Sequence, residues 1–126
     1  KRGLAYNVGV ENEHEIDYGY FAVFVSLDRK NIEKAKEIIL QQFRKLSSIS
    51  KTELGEAKTF IEGNHALEME DNFHLADNLA FWETIKNASL ADNYIKSIKK
   101  VSLNDVKKVS GKYLNKFYTL VVIEQK

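Results

Sequence analysis

An α+β fold, with an antiparallel sheet and several helices packed on one of its faces, is what this sequence predicts. Three observations carry that reading. Two segments near the start are rich in β-branched and aromatic residues, a long middle stretch places apolar residues at helical spacing, and a continuous apolar run closes the chain.

The opening residues read as a hairpin. Leu4 to Val10 (LAYNVGV) and Tyr18 to Leu27 (YGYFAVFVSL) carry the side chains that suit a pleated surface, and Glu11 to Asp17 (ENEHEID) between them is short and polar. Neither strand alternates cleanly, so both faces are expected to be at least partly covered. After Leu27 the period becomes helical: Ile32, Ala35, Ile39, Phe43 and Leu46 form one apolar stripe, with Asp28 as the expected N-cap. Ser50 and Glu53 read as a capping box that opens a second helix through Leu54, Ala57 and Ile61 to about Glu70. Asp71 or Asn72 restarts the chain in a helix that turns Leu75, Leu79 and Trp82 inward. Ser89 with Asp92, and Ser102 with Asp105, mark two further helix starts. Tyr118 to Ile123 (YTLVVI) is apolar throughout, as expected of a strand buried on both faces, and should return to lie beside the hairpin.

The 126 residues suffice for one domain, or part of one, spanning positions 1–126. Nineteen Lys and Arg against eighteen Asp and Glu leave a formal charge of +1, which supplies no field for nucleic acid or an acidic membrane surface. No apolar run reaches the roughly 20 residues that span a bilayer. The chain has no cysteine, which excludes disulfides, thiolate nucleophiles and cysteine-ligated zinc and fits a reducing, cytoplasm-like compartment. It opens with KRGLAY rather than Met, so the start reads as cut from a longer chain.

Histidines are few: His14, His65 and His74. His65-Ala66-Leu67-Glu68-Met69 approaches the His-x-x-Glu-His order of some zinc peptidases, but Met69 stands where the second imidazole must be. A thioether is a poor zinc ligand, so no metal site is expected there. His14 lies among Glu11, Glu13, Glu15 and Asp17, which read as an exposed charged loop. His74 reads as a polar residue near a helix start. No nucleophile elbow or phosphate-binding glycine loop is present.

Three stretches, however, resemble one family. KRGLAYNVGVENEHEIDYGYFAVFVSLD is similar to a strand pair in processing-peptidase-like proteins, TELGEAKTFIEGNHALEMEDN (residues 52–72) to a helix of that family, and VSLNDVKKVSGKYLNKFYTLVV (residues 101–122) to its closing helix and strand. On these stretches, which cover most of the chain, the sequence resembles the insulinase and pitrilysin-like zinc metallopeptidases of processing-peptidase type. The part it resembles is the C-terminal portion of a domain that does not carry the zinc.

The resemblance implies a metallopeptidase-family half domain that encloses an unfolded peptide and presents it to a zinc held by a partner domain or subunit. This chain would itself hold no cofactor and hydrolyse nothing. It also implies a catalytic role for Tyr6, in the Leu-Ala-Tyr context, as a contact to the substrate carbonyl. The Arg that accompanies this Tyr in the family stands seven residues earlier, before Lys1, and Arg2 is not that residue. From the residues alone, Tyr6 reads first as a strand residue packed in the sheet, and only the resemblance turns it toward the site. A catalytically inactive scaffold of the same family is the alternative. Either way a half domain should leave an apolar face or strand edge open, to be covered by further chain or by self-association.

Overall fold

The computed structural model describes residues 3–114 and 117–124. Two strands, β1 (Asn7–His14) and β2 (Gly19–Ser26), precede five α-helices: α1 (Ile32–Lys45), α2 (Lys51–Glu68), α3 (Asn72–Ile85), α4 (Tyr94–Lys100) and α5 (Leu103–Tyr113). Short 3-10 turns at Arg29–Asn31, Leu46–Ser48 and Ala88–Asn93 join them. Strands first and helices after make the α+β class that the sequence predicts.

The hairpin is longer than its composition suggests. β1 and β2 pair antiparallel from Asn7↔Ser26 to His14↔Gly19, so Glu11 to His14 belong to the ladder. Only residues 15–18 turn, closed by the Glu15 amide donating to the Tyr18 carbonyl at 2.8 Å. Polar residues are admitted to the strand because their partners supply the β preference. Glu11 faces Ala22 and Glu13 faces Tyr20, whose hydroxyl reaches across to Glu11 at 3.2 Å.

The helices lie on one face of this ribbon. Side chains alternate across a strand, so Val8, Val10, Asn12 and His14 share a face with Phe21, Val23 and Val25. On that face Phe21 meets Phe43 of α1 edge-on, with ring centroids 5.8 Å apart. At the other end His14 meets Phe81 of α3 at 5.4 Å. The opposite face, with Gly9, Tyr20 and Phe24, meets no helix ring among the described residues, and the β1 end of the helix side is itself exposed, Val8 at 61% and Val10 at 64% against 56% for Phe24.

Helix starts follow local chemistry. Ser50 and Ser102 each accept from the backbone amide three residues on, while Glu53 and Asp105 accept from the Ser amides in return. Asp71 caps α3 through the amides of Phe73 and His74. Two expected caps differ. Asp28 precedes a 3-10 turn and makes no side-chain cap bond, its carboxylate accepting instead from Tyr6. Asn87, rather than Ser89, caps the 3-10 segment before α4, with its side chain accepting from the Ser89 amide at 2.8 Å. The competition is decided by reach: an Asn side chain two residues ahead of the amide closes a tighter ring than a Ser–Asp pair across an irregular turn.

The apolar run at 118–123 departs most from expectation. It forms no strand: residues 117–124 are irregular, with Val121 75% and Ile123 93% exposed, and the sheet of the described residues has two strands. The run lies beside α1, where Glu124 pairs with Arg29 at 3.3 Å and the Tyr118 phenol lies near Lys36. β preference alone does not make a strand when no ladder partner is in register.

What the layers do not produce is a closed core. No hydrophobic side chain among the described residues is fully buried, and Leu75 and Leu79, expected to face inward, remain about two-fifths exposed at 39% and 40%. Trp82 is half-buried, and among the described residues only Ser110 is buried. The accessible surface is 10573 Å², against about 6,900 Å² for a compact chain of 14.5 kDa. Helices α2 and α4 touch through a narrow, largely polar seam. Lys99 Nζ reaches Glu62 at 2.5 Å, Lys58 donates to the Lys99 carbonyl at 2.8 Å, and His65 leans on Tyr94 at 5.2 Å, all between α2 and α4.

Candidate functional site

Tyr6 stands just before β1, where the chain is already drawn against β2: its amide donates to the Ser26 carbonyl at 2.7 Å. That bond fixes the backbone while leaving the ring 78% exposed. The phenol hydroxyl donates to Asp28 Oδ1 at 2.9 Å. The acceptance by Asp28, followed by the repulsion between its carboxylate charge and a phenolate, raises the Tyr6 pKa above 10.0. The phenol is therefore held as a donor across the physiological range.

Asp28 is itself positioned from the end of β2. Its other oxygen lies 3.9 Å from Lys30 Nζ, at the outer limit of an ion pair. Asn31 ties the same turn back to the N-terminal segment by donating to the Leu4 carbonyl at 3.4 Å. Three contacts thus join residues 4–6 to residues 26–31. The residues flanking Tyr6 also border a groove: Leu4, Ala5 and Val8 line one wall and Ile38, Gln41 and Lys45 of α1 the other, enclosing about 490 Å³. The groove continues past Gln42 and Lys45 into a second concavity of about 580 Å³ that ends at Ile49 and Glu53. Together these form an open trough along α1 with a mixed lining, in which Ile38, Phe43 and Leu46 alternate with the amide and ammonium groups of Gln41, Gln42 and Lys45.

The donor set for a metal is poor. Among the described residues no group of three or more His, Asp or Glu side chains converges. His65 and Glu68 lie on α2 with Met69 at its cap, and the His65 ring is engaged by Tyr94. These residues do not fit a zinc ion, which asks for three or four nitrogen, oxygen or thiolate ligands around one point. His14 is apart from His65, against Phe81, and His74 meets Phe73 edge-on at the start of α3. Among the described residues no helix is long and apolar enough to cross a membrane.

Of the residues that sequence reasoning singled out, the structure brings Tyr6 to an exposed position with an ordered hydroxyl. It adds Asp28, whose pairing with Tyr6 spans 22 residues and so leaves no periodic signal. The only hint was an acidic residue at a strand-to-helix junction, which the capping rule had claimed for the helix.

Comparison with known proteins returns one family. The family model described as "Peptidase M16 inactive domain" matches residues 1–60, the stretch that contains Tyr6, Asp28, the hairpin, α1 and the first half of α2. No curated protein and no solved structure matches the chain.

Proposed function

We propose, from the similarity of residues 1–60 to the family model described as "Peptidase M16 inactive domain", that this chain holds an unfolded peptide against a zinc centre carried outside this chain. The observation that carries the reading is the Tyr6 hydroxyl, exposed and hydrogen-bonded to Asp28, in a segment whose Leu4, Ala5 and Val8 line an open groove against α1.

The chemistry follows from competition for one proton donor. A phenol has a single O–H, and here it points at a full carboxylate. A neutral amide carbonyl competes weakly against that acceptor. As the scissile carbonyl becomes tetrahedral its oxygen gains nearly a full negative charge and competes on equal terms. The hydroxyl then turns from Asp28 to the substrate late in the reaction, which is the condition for lowering the barrier rather than tightening ground-state binding. Asp28 in this reading is a positioning residue that biases Tyr6 toward the charged acceptor. The trough along α1, with Gln41 and Gln42 among its lining residues, would hold the substrate backbone through amide contacts that do not depend on sequence.

The test needs the zinc-bearing partner present. Tyr6→Phe deletes one hydroxyl and keeps the ring. We expect kcat on a flexible peptide to fall about ten- to a thousandfold with KM little changed. Asp28→Asn should leave Tyr6 an acceptor that is neutral, tightening substrate binding while moving kcat far less than Tyr6→Phe does. An unchanged kcat in a folded Tyr6→Phe protein removes the catalytic role, and the scaffold alternative then stands.

A further inference from the structure

We propose that the free edge of β2 docks a second copy of this chain, joining two hairpins into one continuous four-stranded sheet with the helices of both copies on the same side. The proposal goes beyond the peptidase reading and does not depend on it.

Hydrogen-bond parity on β2 is the first support. The Glu15 amide donates to the Tyr18 carbonyl, and 15↔18 is the next step beyond the 14↔19 pair of the ladder. Hydrogen-bonded and non-bonded pairs alternate along an antiparallel ladder. The bonded pairs are therefore 13↔20, 11↔22 and 9↔24, which leaves the amides and carbonyls of Phe21, Val23 and Val25 aimed away from β1. Those three residues are also the ones whose side chains face the helices.

A second β2 running antiparallel can bond these groups only through its own Phe21, Val23 and Val25. A register centred on Val23↔Val23 pairs Phe21 with the partner's Val25 and, on the open face, Phe24 with the partner's Ala22. These central pairs are apolar, and Tyr20 with the partner's Ser26 at the ends adds no charge. Because like parity meets like parity, the helix-covered faces of the two copies fall on one side; a slip by one residue would put them on opposite sides and leave the edge groups unbonded.

Charge selects β2 over β1. Gly19–Ser26 (GYFAVFVS) has no charged residue and no proline, the composition of an edge that invites pairing. β1 carries Glu11 and Glu13, so a β1–β1 seam would gather four carboxylates.

The area is sufficient. Each copy exposes roughly 3,700 Å² more than a compact chain of its mass, whereas large permanent interfaces hide about 1,000–2,500 Å² per partner. A two-stranded ribbon is also marginal by itself, and four strands over a helical layer are not.

The experiment is sedimentation equilibrium of the 126-residue chain across the micromolar range, with two proline variants as a matched pair. Val23→Pro removes an outward amide from the β2 edge, and Val10→Pro removes an outward amide from the β1 edge. Neither costs the hairpin a bond. We expect a mass twice that of the monomer for the parent chain and for Val10→Pro, and half that mass for Val23→Pro. A monomeric parent chain overturns the proposal, as does a dimer that survives Val23→Pro or is lost in Val10→Pro alone. Should Val23→Pro fail to fold, hydrogen exchange of the parent chain decides. The amides of Phe21, Val23 and Val25 should exchange at least about tenfold more slowly in concentrated than in dilute samples. Protection that does not change with concentration would mean that the chain's own residues cover the edge, and the second copy would be excluded.

Discussion

Urea unfolding of the chain, diluted until it is monomeric, should expose less new surface than its length implies. An extended chain of 14.5 kDa presents about 21,000 Å² and a compact one about 6,900 Å², a difference of roughly 14,100 Å². From the folded surface of 10573 Å² the difference is only about 10,500 Å², three-quarters as much. The urea m-value scales with this area, so it should be about three-quarters of that of compact domains of equal length. The heat-capacity change scales likewise, to about 1.1–1.4 kcal/mol/K rather than the roughly 1.5–1.9 expected for 126 residues. Far-UV circular dichroism against urea, with calorimetry at several protein concentrations, measures both. A sample shown to be monomeric that returns the full m-value and heat-capacity change would refute the reasoning, because such a chain must have closed a core that this arrangement leaves open.

Two further outcomes are expected. Bonds from Ser50, first its amide and then its hydroxyl, hold Glu53 below its usual 4.5, and bonds from Ser102, first its hydroxyl and then its amide, hold Asp105 below 3.8. A carboxyl lowered by folding stabilises the fold above its unfolded pKa and loses that contribution as pH falls through the folded value. Helicity followed at 222 nm should therefore drop on acidification below about pH 4, and Glu53→Gln should flatten the drop; an unchanged acid profile in that variant would count against the box. Phe43→Ala removes the edge-on partner of Phe21 and should cost about 0.5–1.5 kcal/mol beyond the loss of area, read as a lower urea midpoint; a midpoint unchanged from the parent chain would mean that α1 is not held to the sheet by this pair.

Much of the site lay out of sequence reach for a definite reason. Tyr6 was legible as a candidate through the Leu-Ala-Tyr context, yet its hydroxyl partner was not, because Asp28 reaches it only when β2 folds back and returns the chain 22 residues later. The trough beside it is likewise built from two segments, Leu4–Val8 and α1, that no local pattern links.

The features that the sequence determined by itself are those settled within three or four residues. Both capping boxes, Ser50–Glu53 and Ser102–Asp105, stand where the spacing put them, since each is closed by side chains one turn from the amides they satisfy. The stripe of α1 from Ile32 to Leu46 and the Asp71 cap follow for the same reason. Tertiary structure alone decided how far the hairpin runs, because Glu11 and Glu13 join a strand only once Ala22 and Tyr20 lie opposite them. It also decided the state of Tyr118–Ile123: six residues with every preference for a strand remain irregular beside α1, since a strand exists only when a neighbour presents unpaired amides and carbonyls in register.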